Sequence, residues 1–242
     1  MNIQISYLLS ILAGLGTLLG SVFIFIPKLN KREFIPLFLS ISATIMLLFS
    51  ILDLIPESVM YIISCNRPFK SILLILIPFL IGVLVIKLLD KGYKEESSLK
   101  KIGVLSFISL ALHNFPEGIA TFLSSMVNIR LGISMTIGIM LHNIPEGICI
   151  SMPLYQATKS KKKVLITTLI ASLSEPLGAV IAYIFLKDYI NNLTISIVLL
   201  FVAGLMITLS INNIYKEVLD NKKYMILGIF IGTIISIIAL IA

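Results

Sequence analysis

His113-Asn114-Phe115-Pro116-Glu117-Gly118, and again His142-Asn143-Ile144-Pro145-Glu146-Gly147: one six-residue phrase occurs twice, each time inside a long apolar stretch. His113 and His142 are the only histidines among 242 residues. Histidines spread for packing or surface polarity would not both fall at the same position of a repeated phrase, so a shared task is the better reading. In a helix, residues i and i+4 share a face. His113 then lies over Glu117, and His142 over Glu146. Asn114 and Asn143 are turned by about 100° and offer an amide oxygen on the adjoining face. Pro116 and Pro145 leave the carbonyls of Leu112 and Leu141 without their helical partners, and in lipid those carbonyls need a substitute. Gly118 and Gly147 let a neighbouring helix come close.

Two such faces turned toward each other present two imidazoles, two carboxylates and two amide oxygens. That mixture suits zinc or a neighbouring divalent transition metal better than calcium or magnesium, which prefer oxygen alone. Any one of these residues, taken singly, reads equally well as polar glue between helices. The doubling favours the metal.

Composition gives the setting. Hydrophobic residues make up 58% of the chain and charged residues 13%, where a soluble domain is about a quarter charged. The chain is therefore expected to be an all-α integral membrane protein. Eight apolar runs of spanning length fall at about 3–26, 34–56, 71–89, 102–126, 130–154, 164–186, 193–214 and 223–242, with short connections, which makes 1–242 one transmembrane domain. The first run lacks a basic leader and a small-residue cleavage site, so it is read as a retained helix. Of the 19 basic residues, only Arg67, Lys70, Arg130 and Lys187 fall in the even-numbered connections. The remainder lie in the odd-numbered ones, including Lys28, Lys31, Arg32, Lys94 and the run Lys159 to Lys163. The positive-inside rule then makes the odd connections cytoplasmic and puts both termini outside, in a multi-pass protein of the cell membrane. The net charge of +7 reports this orientation and not a nucleic-acid partner. Cys65 and Cys149 form no C-x-x-C pair, so no disulfide or redox chemistry is expected.

Glu175, in Ser174-Glu175-Pro176-Leu177-Gly178, adds a third deep carboxylate beside a proline, where an unpaired charge is costly and marks an ion path or a partner. Asp53 and Glu57 fall near the outer end of the second run and read as an interfacial cap or as a mouth that collects cations, with the cap slightly preferred. Residues from Ala43 and from Ala203 align at Met46 and Met206, pairing Ser50 with Ser210 and Asp53 with Asn213. Similar stretches in runs two and seven, with the phrase in four and five, suggest a pseudo-symmetric transporter with a central site. Gly16 with Gly20, and Gly228 with Gly232, form small-residue faces suited to helix packing and compatible with a homodimer.

With these features the sequence resembles the ZIP family of divalent-metal transporters, in its bacterial branch, over nearly the whole chain. The resemblance implies a metal site in the central helices, built from spans two, four, five and six, with two adjacent positions bridged by the glutamates of the two phrases. His113, Glu117, His142 and Glu146, with Met46, would form the first. Asn114, Glu117, Asn143, Glu146 and Glu175 would form the second. It further implies zinc uptake into the cytoplasm, with Fe2+, Mn2+ or Cd2+ as other cargo and no cofactor. Three departures stand out: no histidine in the connection from Gly92 to Lys101, Asn212 and Asn213 where an acidic residue is usual, and Thr44 in place of a glycine. The competing readings are a proton or monovalent-cation carrier, which leaves the histidines unexplained, and an intramembrane metalloenzyme. The latter would need His-Glu-x-x-His on one helix, and each helix here has one histidine.

Overall fold

The computed structural model describes residues 3–26, 32–92, 98–186 and 192–241, and every element among them is a helix. Helices follow from the apolar runs, because backbone groups in lipid must be satisfied within the segment itself. Helix α1 (Ile3–Gly20) runs on through a tighter turn, Ser21–Phe25. Helices α2 (Ile35–Phe49) and α3 (Ile55–Cys65) form one rod joined by a wide turn, Ser50–Leu54, in which the winding is loosened. Next come α4 (Pro68–Gly92), α5 (Ser98–Val127) and α6 (Ile129–Thr158), the last two carrying the repeated phrase. Helices α7 (Lys161–Ser172) and α8 (Ser174–Ile181) follow, then a wide turn at Ala182–Leu186. Helix α9 (Asn192–Leu209) leads through a wide turn, Ser210–Tyr215, into the short α10 (Lys216–Val218), and α11 (Lys222–Ile241) comes last.

Among the described residues, seven stretches are long and apolar enough to cross a membrane: Ile3–Phe25, Ile35–Cys65, Pro68–Gly92, Leu99–Leu123, Gly132–Thr158, Lys161–Ile184 and Asn192–Val218. Their outward surface is what lipid favours, with Phe69 at 76% and Leu80 at 56% exposure. Helix α11 stands where the eighth run was expected and packs on α2. Lys28, Lys31, Lys94 and Lys187, which contribute to the charge asymmetry, lie outside the described residues.

Two boundaries differ from the sequence reading. The second run does not end near residue 56 but continues to Cys65, because the wide turn at Ser50–Leu54 carries the helix into Pro56, which sits in the first turn of α3, where a missing N–H costs little. The sixth run spans as one stretch, Lys161–Ile184, with its helix interrupted at Leu173 between α7 and α8. Pro176 has no N–H to offer the carbonyl of Ser172, and at the same turn the Ser174 hydroxyl donates to the carbonyl of Ala171.

Close helix contacts set the site's frame. A Cβ on Gly118 would collide with the carbonyl of Glu175, so α5 meets α8 backbone to backbone, and one on Gly147 would collide with the carbonyl of Thr17, so α6 meets α1 in the same way. Gly16 and Gly20 lie against α6, while Gly228 and Gly232 lie against Ser40 and Thr44 of α2. Both small-residue faces are thus used for packing within the chain. Thr44 in place of a glycine is accommodated by Gly232 opposite, and its hydroxyl bonds the Ser40 carbonyl at 2.7 Å and the Tyr215 hydroxyl at 2.6 Å. Asn213 donates to Asp90 Oδ1 at 2.7 Å, where Lys101 Nζ also lies 3.0 Å away, tying the wide turn of α9 to α4 and α5. The wide turns of the α2/α3 and α9 rods begin at Ser50 and Ser210, the two serines that the sequence alignment paired.

Candidate metal site

Helices α5 and α6 lie against each other and bring the two phrases face to face. The i, i+4 expectation holds on α5, where His113 Nε2 lies 3.0 Å from Glu117 Oε1. The same oxygen receives His142 Nε2 from α6 at 2.9 Å, and His113 Nε2 lies 3.8 Å from Glu146 Oε1. Ligand atoms of His113, His142 and Glu146 all fall within 4.8 Å of one another. The four side chains therefore converge on one small volume, and all four are buried. Phe49 of α2 packs its ring 4.8 Å from that of His142, which fixes the imidazole from the side.

The second set gathers behind the first. Asn143 Nδ2 donates to Glu175 Oε1 at 2.5 Å and to the Ala13 carbonyl at 3.3 Å. Asn114 Nδ2 donates to Thr17 Oγ1 at 3.1 Å. Asn114, Asn143 and Glu175 are fully buried. Met46, also fully buried, lines the same cavity as the histidines and belongs to the apolar core formed with Leu110, Cys149 and Met206. The structure thus brings together all eight residues singled out from the sequence, in two adjoining groups with Glu117 and Glu146 in the first and Glu175 in the second.

Among the described residues, five buried oxygens in this region have no hydrogen-bond partner: Oε2 of Glu117, Glu146 and Glu175, and Oδ1 of Asn114 and Asn143. Buried acceptors are nearly always paired, and leaving one unpaired costs about 1–3 kcal/mol, more when it is charged. A cluster of acceptors with too few donors is the environment that a cation stabilises. The two imidazoles now donate toward Glu117. A cation entering between them would need each imidazole to carry its proton on Nδ1, which has no hydrogen-bond partner among the described residues, so that the Nε2 and carboxylate lone pairs face the ion.

A cavity of about 620 Å³ reaches the histidines and is lined by Asp53, Glu57 and Tyr61 of the α2/α3 rod and by Asn192 and Ser196 at the start of α9. It runs from the polar cluster toward the end of the bundle where α3 stops and α9 begins. Asp53 and Glu57 are consequently not end caps, the reading slightly preferred from sequence, but walls of this passage. The extension of α3 past the wide turn moves them inward. Sequence reasoning also missed Ala13 and Thr17 of α1, whose side of the helix is marked only by a faint stripe of small and polar residues at Ser6, Ser10, Ala13, Thr17 and Ser21. Ser42 of α2 was missed as well; it donates to the carbonyl of Pro145 at 2.6 Å and holds α2 to the second phrase.

A helical membrane protein with two imidazoles and three carboxylates buried at the end of an open passage belongs to the class that handles cations within the bilayer. Comparison with known proteins narrows the class: the family model described as ZIP Zinc transporter matches residues 89–242. The chain belongs to this family. It is 32% identical to the zinc transporter ZupT of Streptococcus mutans, covering 98% of this chain and 96% of that protein. ZupT of Clostridium perfringens is 30% identical over 99% and 96%, and ZupT of Chlorobaculum parvum 33% identical over 96% and 94%.

Proposed function

We propose that this chain carries divalent transition-metal ions, zinc first, across the cell membrane into the cytoplasm, and that it is a transporter and not an enzyme. The observation that carries this reading is the cluster of five unpartnered buried oxygens beside two converging imidazoles, together with membership of the ZIP family. The whole chain, 1–242, acts as one transmembrane domain with α11 as an eighth span, and the matching wide turns of the α2/α3 and α9 rods reflect a pseudo-symmetric repeat. The cargo occupies two adjacent positions. His113, His142, Glu117 and Glu146, with Met46 at the wall, hold the first. Asn114, Asn143 and Glu175, with the two bridging glutamates, hold the second. Fe2+, Mn2+ and Cd2+ share enough of zinc's ligand preference to enter as other cargo.

Each element of the geometry has a role in this reading. Asp53 and Glu57 concentrate cations in the passage, Glu117 and Glu146 neutralise the ion, and the imidazoles select for borderline-soft metals. The asparagine oxygens solvate without adding charge. Release on the far side requires the packed core of Met46, Leu110, Cys149 and Met206 to open.

Zinc uptake into proteoliposomes holding the purified chain, with other divalent ions as competitors, tests the reading. Saturable entry supports it, and zinc that binds without crossing would point to a sensor. Uptake is also expected to fall as the outside pH drops from about 7.5 to about 5.5, because protons compete with the ion for the imidazole and carboxylate ligands and metal is held only by deprotonated ligands. A steady rise on acidification would favour proton-driven coupling instead.

In this reading the charge asymmetry turns the end of α3 outward, so that the passage opens to the outside and both termini are extracytoplasmic. Cys65 is exposed at that end and Cys149 is buried, and both are free. A membrane-impermeant maleimide added to intact cells should label Cys65 and leave the Cys65→Ser variant unlabelled. Labelling that requires permeabilised cells would reverse the orientation.

A further inference from the structure

The two asparagines owe their orientation to α1, a helix with neither histidine nor carboxylate in its length. Ala13 and Thr17 lie one turn apart on one face of α1, and each meets one amide: Asn143 Nδ2 at the Ala13 carbonyl, 3.3 Å, and Asn114 Nδ2 at Thr17 Oγ1, 3.1 Å. A carbonyl only accepts and a carboxylate at Glu175 takes the other contact of the Asn143 amide nitrogen at 2.5 Å, so the NH2 of Asn143 is held away from its free oxygen. Among the described residues, the Asn114 amide nitrogen has Thr17 Oγ1 for this purpose. Both Oδ1 atoms are buried and without a protein partner, as is Glu175 Oε2.

An asparagine amide is nearly symmetric in shape, and its two ends are opposite in function. With Oδ1 inward it solvates a cation; turned over, it points two N–H groups at that cation. When Oδ1 is engaged by a metal, the NH2 must donate elsewhere, and a buried NH2 without an acceptor is costly. The Thr17 hydroxyl is fully buried, and the Thr17 carbonyl packs against Gly147, so the acceptor is held by the same backbone contact that joins α1 to α6.

We propose that Thr17 is a positioning residue: its hydroxyl holds the Asn114 amide with Oδ1 toward the ion, and α1 thereby sets the affinity of the oxygen-rich half of the site. This rests on the transport reading above and adds α1 to the helices that determine metal affinity. Outer partners of metal ligands are worth about 10–100-fold in affinity, which sets the size of the expected effect.

The test uses the full chain, with zinc titration in detergent and zinc uptake in proteoliposomes. Thr17→Val keeps the shape and removes the acceptor. It is expected to raise Kd for zinc and KM for uptake about tenfold or more, with maximal rate within about twofold, and Thr17→Ser is expected to restore both. Asn114→Asp supplies the internal control, because a carboxylate has no amide to orient: Thr17→Val should cost less than about threefold in that background. Equal Kd and KM for wild type and Thr17→Val would overturn the proposal, as would a Thr17→Ser variant as impaired as Thr17→Val, or an undiminished loss in the Asn114→Asp background. Should Thr17→Val fail to fold, Thr17→Ala is read by the same criteria. If the wild-type chain itself neither binds nor moves zinc, the transport reading fails; if it does both and Thr17→Val matches it, only the role of Thr17 fails.

Discussion

Glu117→Gln is expected to lower zinc uptake by on the order of a hundredfold or more, with the protein still inserted and folded. Glu117 Oε1 is the single atom on which both imidazoles converge, 3.0 Å from His113 Nε2 and 2.9 Å from His142 Nε2. Glutamine keeps the volume of the side chain and a carbonyl oxygen that can still accept one imidazole N–H. It removes the charge that would offset a divalent ion in a low-dielectric interior, where an isolated charge costs on the order of 3 kcal/mol or more. Initial uptake rates measure the effect, and an unchanged elution profile and melting midpoint show that the fold is kept. His113→Ala run beside it should also lose uptake. Normal transport by both variants would remove the site from the phrase.

Gly118→Val is expected to destabilise the protein outright. A Cβ at this position falls on the Glu175 carbonyl oxygen and crowds the Glu175 Cα as well, so the neighbour that must yield is backbone and not a mobile side-chain tip. Overpacking of this kind costs about 1–3 kcal/mol and at times more. A branched side chain here has to push α8 off α5, carrying Glu175 away from Asn143. The melting midpoint in detergent should fall by about 5 °C or more, or no monodisperse protein should be recovered. Gly138→Ala is the matched control: it lies on α6, where a Cβ meets nothing within 4 Å, and should be neutral or slightly stabilising because alanine is the better helix former. Equal effects of the two would mean that the α5–α8 contact is not tight.

Much of the site was legible because its chemistry is local. The four-residue spacing placed His113 over Glu117, and the proline beside Glu175 marked a deep carboxylate, though the run around it reads as unbroken. Other features depend on partners far along the chain. Asn114 meets Thr17 across 97 residues and Asn143 meets Ala13 across 130, and no motif in α1 signals either contact. That Glu117 rather than Glu146 receives both imidazoles depends on how α5 and α6 are offset, which two phrases differing only at Phe115 and Ile144 cannot reveal. Asp53 was misplaced for a different reason: hydropathy measures how long an apolar run is, and a loosened turn inside that run leaves no trace in it.

That loosened turn sets the passage's rotational phase. The residues of the α2/α3 rod that line it run from Met46 through Phe49, Asp53 and Glu57 to Tyr61. In an unbroken α-helix, residues 46 and 61 would end about 60° out of alignment, enough to swing the outer end of the row toward lipid. Slower winding through Ser50–Leu54 takes back that drift, and the row stays straight. Losing any one residue there would rotate Glu57 and Tyr61 by about 100° while leaving every functional group in the chain chemically intact. The bore is thus kept in line by where the winding slackens as well as by which side chains face it.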